Sequence, residues 1–459
     1  MQQASGADLT IEAGSQRASP KSLAHLPGYR AFGPFDNTVA ILRDPRAFFE
    51  ASEKRFGPVY TASFLGSCGV HVLGPDANEL VFADREKAFS SRLGWAPYLD
   101  RVFPRGVISM DFDEHRLHRR ALSVAFKSGA MRAYFQRLDL GIAEWLDGWR
   151  AAPGLRRVYP EMKRMSLGLA TNAFLGIEPG PEADALNSAF VAEVAATIGW
   201  VRAPLPFTAM GRGVRARAWL VDHLMTLIRS RRDGEGEDLL SELCTATLDD
   251  GRPLTGEEIA DHMNMLMMAA HDTLASSLST FVWLLAVNPH WQERLREEAL
   301  GLGLTASDPT PFDSLEKLKL AEMAFKEALR LVPPVAVVPR RAIRDVHFKG
   351  LRIPSGASVG VAPIHTHYMP DLWPEPDRFD PMRFTDAAER ARHRYAFVPF
   401  GGGAHMCLGL NYAMMQSRAF ARHLLQRFEF RLPAGHEPSW SLLPIAKPKG
   451  GLPVEFRAI

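Results

Sequence analysis

The stretch Phe400–Gly409 reads FGGGAHMCLG, and its reading decides the fold. Three consecutive glycines, a histidine, one cysteine and a further glycine stand just before a helix-like run. Glycine reaches backbone angles that other residues avoid and leaves room for a flat group to lie against the chain. Cys407 has no second cysteine at chelate spacing, so it does not suit zinc, which takes four ligands. One thiolate is sufficient as the axial ligand of a haem iron, where it pushes electron density onto the metal and favours O–O cleavage. Taken alone, the run also fits a Gly-rich turn with a buried, inert cysteine.

The run resembles the cysteine-ligand loop of the cytochrome P450 family, the haem-thiolate monooxygenases, whose pattern is Phe-x-x-Gly-x-Arg/His-x-Cys-x-Gly. Phe400, Gly403, His405, Cys407 and Gly409 occupy its defined positions, with Gly401 inside it. Further matches follow in the family's order. In Phe325–Leu331 (FKEALRL), Glu327 and Arg330 share a helix face. In isolation that spacing is commonly a surface pair of little worth. Here Pro333-Pro334 follows, and then Pro376–Phe384 (PDRFDPMRF). Together these resemble the family's Glu-x-x-Arg helix and its Pro-x-x-Phe-x-Pro-x-Arg-Phe meander. The resemblance implies that Glu327, Arg330 and Arg383 form a buried structural triad behind the cysteine loop. Arginine suits that place because its planar fork binds carboxylate bidentately and keeps its charge when buried.

The resemblance extends to Met268–Leu274 (MAAHDTL), where Asp272 and Thr273 match an acid–alcohol pair that manages protons, so both are expected to be catalytic. Ala270 stands where the family usually has glycine, and Leu274 where it has a small hydroxyl residue. A mid-helix threonine alone would more simply bond its own i−4 carbonyl. The implied cofactor is haem b. Its propionates are expected at His115 and Arg119, one turn apart in Asp113–Arg120 (DEHRLHRR), at Arg340 on a strand, and at His405. Phe400, Gly401 and Gly409 are expected against the ring.

The resemblance implies a fold that is mainly α with a smaller β-rich part, the haem lying between a long central helix and the Cys407 loop. Residues 1–25 are expected to be a mobile tail, and 26–459 one catalytic domain. The chain has 459 residues, 46% of them hydrophobic and 23% charged, with a net charge of +2. That balance is ordinary for a globular protein and gives no support to nucleic-acid binding. Three cysteines (Cys68, Cys244, Cys407) make no disulfide framework and fit a reducing compartment. The polar N-terminal stretch has neither the apolar core of a signal peptide nor a spanning helix. The expectation is a cytoplasmic monomer without a membrane anchor.

Alternation predicts a hairpin over Phe56–Leu73 and a helix over Pro75–Phe82. Gly94–Met110 has no period and is expected to be a long loop. Helices are expected from Asp113 to about Leu240. A capping box at Thr255 and Glu258 opens the longest helix, running to Val287. Strands are expected over Val335–Ala342, Val346–Ile353 and Ser358–Ala362, and a terminal helix over Gln416–Phe430.

By position, the substrate pocket is expected to be walled by Trp95, Tyr98, Leu99 and Val107, with Trp200, Leu205 and Phe207 as roof. Leu266, Ala269 and Ala270 would come from the long helix, and Val335, Ala336, Val337 and Ile445 from the C-terminal part. The reaction implied is hydroxylation of a hydrophobic small molecule (steroid, terpenoid or fatty-acid-like) with O2. Electrons would come from an external ferredoxin and ferredoxin reductase, which would meet Arg116, Arg120 and Lys127. A peroxide-driven peroxygenase, an isomerase and a non-catalytic haem sensor are the other classes. The pair Asp272 and Thr273 argues against the first two.

Overall fold

The structure is a computed structural model that describes residues 16–29, 36–197, 199, 201–232, 236 and 238–459. The elements that position the site are nine helices and eight strands. The helices are α1 (Ser91–Leu99), α2 (Phe112–Ser123), α3 (Ser128–Ala151), α4 (Val158–Leu175), α5 (Pro181–Thr197), α6 (Ala209–Arg232), α7 (Gly256–Val287), α8 (Lys319–Leu331) and α9 (Leu410–Leu425). The strands are β1 (Val59–Phe64), β2 (Ser67–Val72), β3 (Phe89–Ser90), β4 (Gly154–Arg157), β5 (Val338–Ala342), β6 (Ser358–Val361), β7 (Phe428–Arg431) and β8 (Pro453–Ala458).

One sheet has the order β1-β2-β6-β5-β3, with β2 and β6 parallel and the other neighbours antiparallel. The β1–β2 hairpin turns through Leu65 and Gly66, both at positive φ, as a two-residue turn matched to the strand twist requires. A second sheet places β8 between β4 and β7.

The helical core is built around α7. Thr255 caps it: the Glu258 N–H donates to Thr255 Oγ1 at 3.1 Å, and Glu258 Oε2 accepts from the Thr255 N–H at 2.8 Å. The helix runs unbroken for 32 residues and stops at Asn288, before Pro289. Met263, Met267, Leu278, Phe281 and Leu285 are buried along it. Its interior position explains an apolar sequence with no wide polar face.

Several expectations change. Residues 16–29 are packed, with Leu23 and Leu26 buried on the five-stranded sheet and the Ala18 N–H donating to Gly356 O. Residues 16–25 therefore belong to the folded part rather than to the expected tail, and residues 1–15 lie outside the described residues. The stretch Gly94–Met110 is partly helical, because Asp111 accepts from Ser90 Oγ and from the Ser91 and Arg92 N–H groups, capping α1 from a distance. The strand β4 interrupts the expected helical run. The terminal helix is earlier than expected: α9 covers Leu410–Leu425, and Phe428 and Phe430 alternate inward on β7.

Candidate functional site

The Cys407 loop is fixed by its own backbone. The Cys407 N–H donates to Phe400 O at 2.8 Å, the Gly401 N–H to Val398 O at 3.0 Å and the Met406 N–H to Gly403 O at 3.2 Å. The glycine triplet does not chiefly make room for a flat group. Gly403 has φ +61°, and a Cβ there would stand 1.8 Å from Phe82 O; a Cβ at Gly402 would meet the Tyr395 ring at 3.1 Å. These two glycines let the loop press against the end of the Pro75–Ala83 helix. Gly409 is different, since a Cβ there would meet nothing within 4 Å. Room for a ring therefore opens beside Gly409. Cys407 faces open space while protein crowds it from behind. Burial pushes its thiol pKa up, opposed by a hydrogen bond from the Gly409 N–H and by the Arg119 charge.

Four basic side chains gather beside this loop. The His115 and His405 rings lie 3.8 Å apart between centroids. His115 is buried, and its Nε2 has no hydrogen-bond partner. Burial, with Arg119 and Arg340 nearby, lowers the His115 pKa to about 4. Burial, His115 and the same arginines lower His405 to about 2. Arg340 is buried and donates to its own neighbour, Pro339 O, at 2.9 Å. Burial lowers it to about 10, against the pull of Asp111 and Asp84. Arg119 Nη2 donates to Met406 O at 2.6 Å, which joins α2 to the cysteine loop. An orphaned buried imidazole nitrogen on His115, the half-buried His405 ring beside it and a buried guanidinium fit a group that brings anionic oxygens. With open space beside Gly409 and a thiol facing it, the residues fit haem.

The acid–alcohol pair sits on α7. Thr273 Oγ1 donates to Ala269 O at 2.6 Å, its own i−4 carbonyl, so its proton is engaged and its lone pairs face outward from that bond. Asp272 Oδ1 is 2.7 Å from Lys163 Nζ on α4 and 3.5 Å from His271 Nδ1. His271 is buried and shifted down to about 4, by burial first and by Lys163, with Asp272 opposing. No local pattern pointed to Lys163, because only the crossing of α4 over α7 brings it to Asp272.

Glu327 and Arg330 are fully buried, joined by bonds of 2.7 and 2.8 Å. Arg383 Nε stands 3.3 Å from Glu327 Oε1, and the Asp380 N–H donates to the same oxygen at 3.0 Å. Arg330 also donates to His367 O and Pro376 O at 2.9 and 2.8 Å. The helix α8 and the meander are thus fastened through one carboxylate.

The expected pocket walls divide. Leu99 is buried with Val102, Phe103, Ala196, Met210 and Met265, and Trp95 and Tyr98, whose rings meet edge to face, pack against this cluster. Val107 and Leu266 are buried in the helical core, with Ala270 packed against it; Ala269 is half-buried. Ala336 is buried against Phe48, Phe49 and Tyr60, and Val337 flanks it. Val335 and Ile445 are half-buried. Two expected roof residues are corrected: Leu205 is 48% exposed and Phe207 81% exposed. Arg212 and Arg215 donate to Phe207 O and Pro206 O, which turns this tip outward. Trp200 lies outside the described residues.

A family model described as Cytochrome P450 matches residues 37–454. Cytochrome P450 136 of Mycobacterium tuberculosis is 35% identical over 425 residues, covering 91% of this chain and 86% of that one. Taxane 10-beta-hydroxylase of Taxus cuspidata is 28% identical over 424 residues, covering 89% of this chain and 84% of its own. Among solved structures, retinoic acid bound cyanobacterial CYP120A1 matches with a TM-score of 0.86 at 30% identity, over 95% of this chain and 99% of that chain.

Proposed function

We propose, for a chain that belongs to the cytochrome P450 family and is therefore a haem-thiolate monooxygenase, that it hydroxylates an isoprenoid with electrons from a separate ferredoxin and its reductase. The observation that carries the site assignment is the convergence of Cys407 with His115, Arg119, Arg340 and His405. Cys407 would hold the iron, and the two histidines and two arginines the propionates, with Gly409 against the ring. All of these except the thiolate are non-covalent partners, which is the chemistry of haem b. Bound haem supplies the redox-active iron that activates O2.

The chain's own residues would exclude water and deliver protons. Asp272, held by Lys163, gives up or takes a proton at its carboxylate when that ion pair opens. Thr273 Oγ1 spends its proton on Ala269 O and keeps its lone pairs to hold a water. Trp95, Tyr98, Leu99 and Met265 make an apolar wall. Isoprenoid chemistry is supported by two relatives, since taxanes and retinoic acid are both isoprenoids. Among the described residues no helix is long and apolar enough to cross a membrane. Cys68, Cys244 and Cys407 form no disulfide among the described residues, which suits a reducing cytoplasm. Lys127 is exposed and faces an acidic partner, whereas Arg116 and Arg120, also exposed, are already paired with Asp113 and Asp249.

The test is a titration of the haem-loaded protein with isoprenoids, steroids and fatty acids, read by the spin-state change in the Soret band. Hits are then turned over with ferredoxin, reductase and NADPH. An isoprenoid that shifts the band and gains one oxygen supports the proposal. A response confined to fatty acids overturns the substrate class, and turnover with peroxide alone overturns the electron route.

A further inference from the structure

Above the pocket, α5 meets α7 through two fully buried polar side chains, Glu193 and Asn264. Asn264 Nδ2 donates to Glu193 Oε1 at 2.7 Å. The other two atoms of the pair, Glu193 Oε2 and Asn264 Oδ1, are buried and have no hydrogen-bond partner. With the carboxyl ionised, both are pure acceptors and neither can satisfy the other. A stranded buried acceptor is costly, and two side by side are more so. One proton on the carboxyl turns one of them into a donor and lets acid and amide pair through both of their atoms.

The surrounding charges do not offer ionised Glu193 an alternative. Among the described residues, the charged groups that act on it are Arg217 from α6 and Asp261 from α7. Arg217 Nη1 is 3.9 Å from Glu193 Oε1, beyond hydrogen-bond reach. The guanidinium donates instead to Asp261 Oδ1 and to Val102 O. Further along α7, Lys163 from α4 and His271 face Asp272.

We propose that Glu193 acts as a neutral carboxylic acid, sharing its proton with Asn264, and is the positioning residue that holds α5 down on α7 as the roof of the pocket. The link to the pocket rests on the site assignment above: Ala196, one turn beyond Glu193, packs with Leu99, Met210 and Met265. Burial raises the Glu193 pKa to about 8, with Asn264 and Arg217 opposing and Asp261 adding to it. The folded-state value lies above the ordinary value for glutamate. The bridge's contribution to stability is therefore full below that ordinary value and is lost as pH rises through about 8, where the bridge itself deprotonates. Above it, a buried anion stands next to an arginine committed to Asp261, and α5 loosens.

Two haem-independent measurements test this on the full-length, haem-loaded protein. The infrared spectrum near neutral pH should contain the carbonyl stretch of a protonated carboxylic acid. That band should vanish in Glu193→Gln and titrate away near pH 8 in the parent. Amide exchange across Pro181–Thr197, compared with Glu193→Gln at each pH, should lose roughly tenfold in protection from about pH 7 to pH 9 in the parent alone. In the glutamine variant the amide keeps a donor and an acceptor at every pH. If that variant fails to fold, 13C-labelled glutamate carboxyl shifts in the parent report the same titration. Absence of a protonated acid, or parallel pH profiles in parent and variant, overturns the proposal. Release of a bulky azole, followed in the Soret band, should accelerate over the same interval in the parent only; equal release rates overturn the roof role. A Soret band that responds to no azole at any pH would refute the pocket assignment instead, leaving the infrared and exchange results to decide the bridge.

Discussion

At Cys407, crowding by protein favours the neutral thiol, while a Gly409 N–H and the Arg119 charge favour the thiolate. Binding of iron at this thiol would remove the proton and decide the balance. Cys407→Ser should therefore fold, since the loop is held by backbone bonds, yet lose the red-shifted carbon monoxide band of a thiolate haem. An unchanged difference spectrum would show that another group holds the iron. At Thr273 the hydroxyl already serves its own helix, so Thr273→Ala should leave the haem spectrum intact. It should lower product formed per NADPH and raise hydrogen peroxide. Equal coupling in the variant and the parent would make Thr273 part of the wall only. Asp272→Asn should slow turnover by about 100-fold, the usual cost of a lost proton donor, and should release Lys163 from its ion pair. The basic residues were legible because haem-thiolate motifs place them by local spacing. Lys163, Glu193 and Asn264 were not, because each acquires its role from a helix crossing that no local pattern encodes.

Among the elements, the capping box and the β1–β2 hairpin could be read directly, since each is closed by residues adjacent in sequence. The helix α1 could not: it contains Gly94 and Pro97, and although Ser90 caps it locally, its first N–H groups and the Ser90 hydroxyl are held by the distant Asp111. Gly94 itself answers to a neighbour on another element, because a Cβ there would stand 2.6 Å from the Arg340 Cα. The cysteine loop gives a paired prediction of the same kind. Gly403→Ala drives a methyl into Phe82 O at a positive φ, so it should yield little folded protein. Gly409→Ala meets no protein atom, so the chain should fold with near-parental thermal stability and bind haem less completely. Haem content and melting temperature measured together separate the two. Equal loss of folding in both variants would show that Gly409, too, serves backbone packing.

For the molecule as a whole, Glu327 joins α8 to the meander through Arg330, Arg383 and the Asp380 N–H. Removing the carboxylate leaves a fully buried Arg330 without its counter-charge, and breaking such a pair typically costs about 3–5 kcal/mol. Glu327→Ala should show a markedly lower melting temperature and poor haem retention; parental values for both would refute a structural role. The order of the motifs along the chain was enough to name this architecture, whereas the second sheet escaped notice because β4 is short and its partners lie far away in sequence. In that sheet β8 is the middle strand, yet it follows both of its neighbours in the chain. During synthesis β4 emerges long before the strand that must pair with it. All nine helices named here precede β8 in the chain, so they can assemble on the ribosome before the second sheet closes.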